Sequence, residues 1–184
     1  MYVPEGPALG LIELCSVARG LTTCDAMVKK AAVELVRATS IHPGKYLILV
    51  RGAVAEVKEA WTTGRTVAAE MLVDDLFLPF PHAHLDELLD APRNIAVDSV
   101  GILETFSVAS VLRGADAALK GAEIEGVLLR LADHLGGKGY FVFSGALEDV
   151  EAAMEVAVPA VGSTLVAGQE TIANPHPDVL KFIS

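Results

Sequence analysis

Five histidines and two cysteines are the residues of this 184-residue chain best equipped for ligand chemistry. His42 stands in Thr39-Ser40-Ile41-His42-Pro43-Gly44-Lys45-Tyr46, a turn between two apolar stretches. Proline holds one φ near about −65° and glycine accepts a positive φ, so such a turn is tight and reproducible. What its imidazole does depends on where the turn lies in the assembled protein. Asp133-His134 precedes Leu135-Gly136-Gly137 at a second turn of the same kind. That pair reads either as a solvated loop or as a charged band facing small molecules. His82, His84 and His176 lie in proline-rich turns and read as edge or surface residues rather than ligands. Cys15 and Cys24 are nine residues apart, match no metal-ligand spacing, and read as buried, reduced thiols.

Catalytic signatures are missing from the sequence. It contains no G-x-S-x-G elbow, phosphate loop, dinucleotide fingerprint or H-E-x-x-H motif. Gly136–Tyr140 is glycine-rich but joins two strands, whereas a phosphate loop opens a helix. Glu13 and Glu104 recur at matching places and could serve as acid–base carboxylates, but a shared structural role explains them better. Lys29 and Lys120 sit on polar helix faces and read as solvated or interfacial amines. The net charge of −10 argues against nucleic acid and anionic membrane surfaces as partners. No apolar run approaches the roughly 18–20 residues of a membrane span, and Met1–Gly10 has no basic segment of a secretory leader. A cytoplasmic protein is expected. Apolar residues make up 52% of the chain and aromatics 5%, so small side chains carry the core and subunit contacts are the natural sink for the excess.

The chain is written twice. Residues 9–31 align with 100–122 at an offset of 91, pairing Gly10 with Gly101, Glu13 with Glu104, Ser16 with Ser107, Asp25 with Asp116 and Lys29 with Lys120. Residues 44–60 align with 137–153 at an offset of 93, so the copies differ by two residues at the His42 turn. Pro81-His82 recurs as Pro175-His176. Two units follow, 1–92 and 93–184, with 92–98 as the link. In each, the pattern predicts strand, helix, strand, strand, helix, strand. For the first copy these are strands at 10–14, 33–39, 46–50 and 71–78, with helices after Ser16 and from Val54. Val17, Leu21, Cys24, Val28 and Ala31 form the amphipathic stripe of the first helix. The second copy gives strands at 100–104, 124–131, 140–143 and 164–167 and helices at 107–120 and 147–158. The fold class is α+β, an α/β sandwich of two ferredoxin-like β-α-β-β-α-β units.

The order of G-[IL]-[IL]-E-[LT]-x-S-[VI]-A, D-A-x-x-K-x-A and a strand–turn–GK–strand–G-x-V-x-x-V block, met twice over about residues 8–182, resembles bacterial microcompartment shell proteins. Two units in one chain look like the tandem-domain class, nearest to the propanediol-utilisation type. The resemblance implies a homotrimer that mimics a hexamer and tiles beside hexameric shell proteins around encapsulated enzymes in the bacterial cytoplasm. It implies a structural role, not an enzymatic one, with a central pore for small polar metabolites. The pore would be lined by Ile41, His42, Pro43, Gly44, His134, Leu135, Gly136 and Gly137. Lys29 and Lys120, with His82 and His176, would contact neighbours at the tile edge. Two departures stand out. Phe80 and Asn174 occupy positions where the family often carries an edge-binding arginine. In the cluster-binding type a cysteine begins the first pore turn, and His42 takes that place here. No cofactor is required by this reading. Three copies would set three His42 imidazoles about one axis, open to three uses: a polar lining, a metal or iron–sulfur site for electron transfer, or a pH-dependent gate.

Overall fold

In a computed structural model, which describes residues 6–93, 98–132 and 134–183, the repeat becomes two copies of one fold. The first copy runs β1 (Pro7–Leu14), α1 (Val17–Lys30), β2 (Glu34–Ile41), β3 (Lys45–Ala53), α2 (Val54–Ala68), a 3-10 turn at Ala69–Met71, β4 (Leu72–Pro79) and α3 (Ala83–Asp90). The second runs β5 (Ser99–Thr105), α4 (Val108–Gly121), β6 (Glu125–Leu131), β7 (Gly139–Gly145), α5 (Leu147–Val161), β8 (Val166–Ile172) and α6 (Pro177–Leu180). Each copy builds a four-stranded sheet, ordered β2-β3-β1-β4 and β6-β7-β5-β8. All pairs are antiparallel, the ferredoxin-like arrangement expected. The compact units divide after Pro81, and residues 134–137 group with the first unit. Helix α3, which ends the first sequence copy, therefore packs in the second unit.

The central strands are buried along runs that are almost wholly apolar: Ala8 to Leu14 in β1, interrupted by Gly10 and Glu13, and Tyr46 to Val50 in β3. In the first unit Ile12, Leu14, Tyr46, Ile48 and Val50 share a core with Cys24 and Met27 of α1 and Val54, Val57, Ala60 and Ala68 of α2. Repeated serines start the first helix of each copy. Ser16 accepts a hydrogen bond from the Arg19 N–H and Ser107 one from the Ser110 N–H.

Four sequence expectations change. The stripe on α1 faces outward: of its members only Cys24 is buried, while Val17, Leu21 and Val28 are exposed. The core instead takes Gly20, Thr23, Cys24 and Met27. A glycine makes this orientation possible, since a Cβ at Gly20 would collide with the Tyr46 side chain, so the helix lies directly on the ring. Pro81-His82 and Pro175-His176 open short helices rather than lying in turns alone. The last strand begins later and ends later than 164–167. Cys24 is buried as expected, but Cys15 is exposed, its Sγ 3.7 Å from Met71 Sδ.

Replacing Gly20 by Val must push α1 off Tyr46. Overpacking of this kind costs about 1–3 kcal/mol, so thermal unfolding of Gly20→Val should begin several degrees below wild type. An unchanged midpoint would show that α1 does not lie on the ring.

Candidate functional site

The His42 turn joins β2 to β3 in three residues. The Gly44 N–H donates to the Ile41 carbonyl over 3.0 Å, and Gly44 takes a φ of 95°, a conformation that suits glycine. His42, Pro43 and Gly44 are exposed, whereas Ile41 is buried. The second turn, residues 132–138 between β6 and β7, is four residues longer, and much of its described backbone is left-handed. Ala132, His134, Gly136 and Gly137 all have positive φ. For Ala and His this geometry carries strain, of the kind that clusters where side chains must be aimed. His134 and Gly136 are exposed, Leu135 is half-buried and Gly137 is buried. Asp133 lies outside the described residues.

Because residues 134–137 pack within the first unit, the two turns meet. The His42 and His134 rings stand 5.6 Å apart, centroid to centroid, tilted by 47°. Gly137 sits against the base of the His42 turn, where a Cβ would approach the Lys45 Nζ to 2.9 Å and the His42 carbonyl to 3.2 Å. Six of the eight residues expected to line a pore thus present exposed or half-buried surface, while Ile41 and Gly137 support them from below.

Lys45 anchors this arrangement. The β1–β3 ladder sets Glu13 opposite Leu47, and Lys45 stands two residues earlier on the same face, one diagonal step from Glu13. Its Nζ donates to Glu13 Oε1 over 2.7 Å. The second copy repeats the device: Glu104 is opposite Tyr140, and Lys138 Nζ meets Glu104 Oε1 at 3.0 Å. The recurrence of Glu13 and Glu104 is thereby structural. Each carboxylate holds the lysine that follows a turn. Sequence reasoning missed these lysines as partners. The signal was there, two opposite charges recurring at offsets of 91 and 93, but only strand register brings them together.

The donor set also bears on a metal centre. The two turns offer imidazoles and backbone carbonyls. Cys15 follows β1 beside Met71, and Cys24 is buried in α1 with its thiol pKa raised, by burial first and by the Asp25 charge second. Neither thiol belongs to either of these two turns, so the described residues there do not fit a thiolate-held iron–sulfur cluster.

The residues expected at an edge form a second group. Lys29 Nζ pairs with Asp25 Oδ2 at 2.7 Å, and Lys120 Nζ with Asp116 Oδ2 at 2.6 Å. Both are i,i+4 pairs on their helices. The Asp25–Lys29 pair is exposed, but Asp116 is buried and also accepts the His82 backbone N–H at 2.8 Å. His82 and His176 cap α3 and α6: their Nδ1 atoms accept from the N–H groups of His84 and Asp178. Phe80 and Asn174, two residues before each cap, both have positive φ. The His82 pKa lies below its ordinary value, through burial first and the neighbouring His84 second; Lys120 adds to the depression, while Asp116 and Glu87 oppose it.

A family model described as "BMC domain" matches residues 8–81 and again 99–175. Among curated proteins, the chain is similar to the bacterial microcompartment shell protein PduT of Citrobacter freundii, 38% identical over 171 residues that span 92% of this chain and 93% of that one. The shell protein EutM of Escherichia coli (strain K12) is 39% identical over 83 residues, 44% of this chain and 86% of EutM. A crystal structure of a microcompartment protein from Desulfitobacterium hafniense DCB superposes with a TM-score of 0.86 at 35% identity, covering 96% of this chain and 99% of that one. A fused permuted hexameric shell protein of the RMM microcompartment shares the fold, with a TM-score of 0.65 at 20% identity over 84% of this chain and 83% of its own.

Two measurements test the site. Glu13 is 0% exposed and Glu104 is 39% exposed in their side chains, so equal substitutions should differ. Lys45→Met should cost about 3–5 kcal/mol in denaturant unfolding, because it strips the ammonium from a buried carboxylate. Lys138→Met should cost less than about 1 kcal/mol. Equal losses would contradict the burial difference. For His82, a pKa lowered in the folded state means stability that is full above about pH 6.5 and is lost as pH falls through the folded value. His82→Asn keeps a capping side chain and removes the titration. Its midpoint should therefore fall less than that of wild type between pH 7 and pH 5; parallel curves would exclude His82 as a source of acid sensitivity.

Proposed function

Because the chain belongs to the BMC-domain family of bacterial microcompartment shell proteins, we propose that three copies close into a pseudohexameric tile whose central pore is lined by the His42 and His134 turns. The protein is a structural shell component with two tandem BMC domains. Its place is the microcompartment shell of the bacterial cytoplasm, beside hexameric tiles and around enclosed enzymes. Its work is to form a wall and a conduit rather than to catalyse a reaction, a reading supported by relatives that are named as shell proteins.

The observation that carries the pore is the meeting of two exposed imidazoles 5.6 Å apart on turns pinned by lysine–glutamate pairs. Three copies about one axis would turn that pair into six imidazoles. Such a band selects small polar molecules by size and by charge, with water and solutes passing between fixed polar groups. The pinned backbone keeps the opening reproducible, while the rings supply the chemistry. Lys29 and Lys120 are assigned to the rim of the tile. Lys29 is well exposed and pairs with Asp25 on its own helix, so it is available to a neighbour at little cost to the fold.

The double variant Lys29→Ala, Lys120→Ala tests this tile. Electron microscopy should find ordered sheets of wild-type protein, alone or with a hexameric shell protein, and none of the variant. Light scattering should find both as trimers. Sheets that persist in the variant would remove the lysines from the rim, and wild-type protein that never joins a sheet would overturn the tile.

A further inference from the structure

The two copies fill one place differently. Helices α2 and α5 correspond at an offset of 93, Val54–Ala68 with Leu147–Val161. Strand register matches Asp75 and Phe77 of β4 with Gln169 and Thr171 of β8. Asp75 lies opposite Ile12 and Gln169 opposite Leu103, its repeat; Phe77 lies opposite Gly10 and Thr171 opposite Gly101. In the first copy the space between helix and strand holds a compact cluster. The Trp61 ring stands 5.6 Å from that of Phe77, and its Nε1 donates to Asp75 Oδ1 over 3.0 Å. The Arg65 guanidinium lies 4.9 Å above the Trp61 ring, and its Nε meets Asp75 Oδ2 at 3.1 Å. A cation thus rests on an aromatic face beside a carboxylate.

The second copy has given this cluster up. Met154 replaces Trp61, Val158 replaces Arg65, Gln169 replaces Asp75 and Thr171 replaces Phe77. Loss of the two rings and the guanidinium leaves a groove of about 400 Å³ between α5 and β8, within the range of small-molecule sites. Its lining has gained charge instead: Glu151 and Glu155 stand where the first copy has Lys58 and Thr62. Neither side chain has a hydrogen-bond or ion-pair partner among the described residues. Helix α5 carries four carboxylates and no basic residue. Pro159 also lines the groove and has no N–H, so the Glu155 carbonyl lacks the donor that a helix supplies four residues on. Val158 and Pro159 belong to the last turn of α5, where the helix dipole adds negative potential. The face is open: Glu151, Glu155 and Pro159 are exposed, as are Lys58, Thr62 and Thr66 at the same positions of α2.

We propose that this groove binds a small organic cation, an aryl or arylalkyl amidine, guanidine or amine, at a site separate from the pore. The ligand brings back the parts that the second copy lost, a flat apolar body and a charged group with several N–H donors. Its ring covers Met154 and Val158, where the thioether also favours an aromatic neighbour. Its N–H groups meet the carboxylates of Glu151 and Glu155 and the freed Glu155 carbonyl. Charge complementarity selects the cation, since the lining holds two carboxylates, an amide and a hydroxyl but no positive group. The stack of Arg65 on Trp61 is the template for a ring and a cation sharing this space. The site lies within one copy of the repeat, so it goes beyond the tile and does not require it.

Full-length protein labelled with methyl-carbon-13 methionine carries four reporters, of which Met154 lines the groove while Met27 and Met71 belong to the first copy. Met154→Leu assigns the Met154 signal. Benzamidine is the probe, and benzamide, its neutral isostere, is the control for shape. Benzamidine should move the Met154 methyl signal saturably and leave those of Met27 and Met71 in place. Benzamide should bind ~10-fold more weakly or worse, the factor that one charge-assisted hydrogen bond supplies. The double variant Glu151→Gln, Glu155→Gln keeps side-chain length and removes both charges. Both positions are exposed, so its circular dichroism should match wild type, while its benzamidine dissociation constant should rise ~10-fold or more. The cation site is overturned by a Met154 signal that benzamidine does not move, by equal binding of benzamide, or by a double variant that binds as tightly as wild type.

Discussion

The antiparallel ladder between β1 and β3, repeated between β5 and β7, is the constraint on which the turns depend. Side chains alternate along a strand, so a one-residue slip would carry Glu13 from the lysine-bearing face to the face packed on α1 and α2. In the observed register Glu13 lies one diagonal step from Lys45, and Ile12 and Leu14 lie in the core. The ion pair and the hydrophobic packing therefore enforce the same alignment. The His42 turn inherits its position from that alignment, because Lys45 is the first residue after it. Gly137 then fits over Lys45, where any side chain would be crowded, and brings His134 beside His42.

Duplication gave the chain two solutions to one packing problem. In the second unit the outer face of α4 is apolar and buried, and Asp116 is buried with a hydrogen bond from α3. In the first unit the same positions on α1 remain exposed, and Asp25 is an exposed partner of Lys29. A folded monomer with such a face is an incomplete object, since soluble proteins rarely leave contiguous apolar surface uncovered. The high apolar content noted in the sequence is thereby located: much of what the two sheets do not need lies on α1, β2 and the last helix.

The sequence by itself determined the repeat, the α+β class, the order of elements and the two glycine-bearing turns. These are local or periodic properties: β-branched runs, serine caps, a glycine free to take positive φ, and recurrence at near-constant spacing. The serine caps of α1 and α4 and the φ of Gly44 were legible for that reason. Tertiary structure decided which face of α1 is core. The stripe Val17–Leu21–Val28 has the right period, but periodicity cannot distinguish a core from an interface, since both are apolar and both recur with the helical turn. Gly20 made the choice by admitting the Tyr46 ring, a contact between residues far apart in the chain. Short α3 and α6 escaped detection because four to eight residues show too little periodicity to separate a helix from a proline-rich turn. The pairing of Lys45 with Glu13, and the meeting of His42 with His134, likewise required register and packing. Spacing along a chain fixes what lies on one element, whereas contacts between elements arise only when the whole fold has closed.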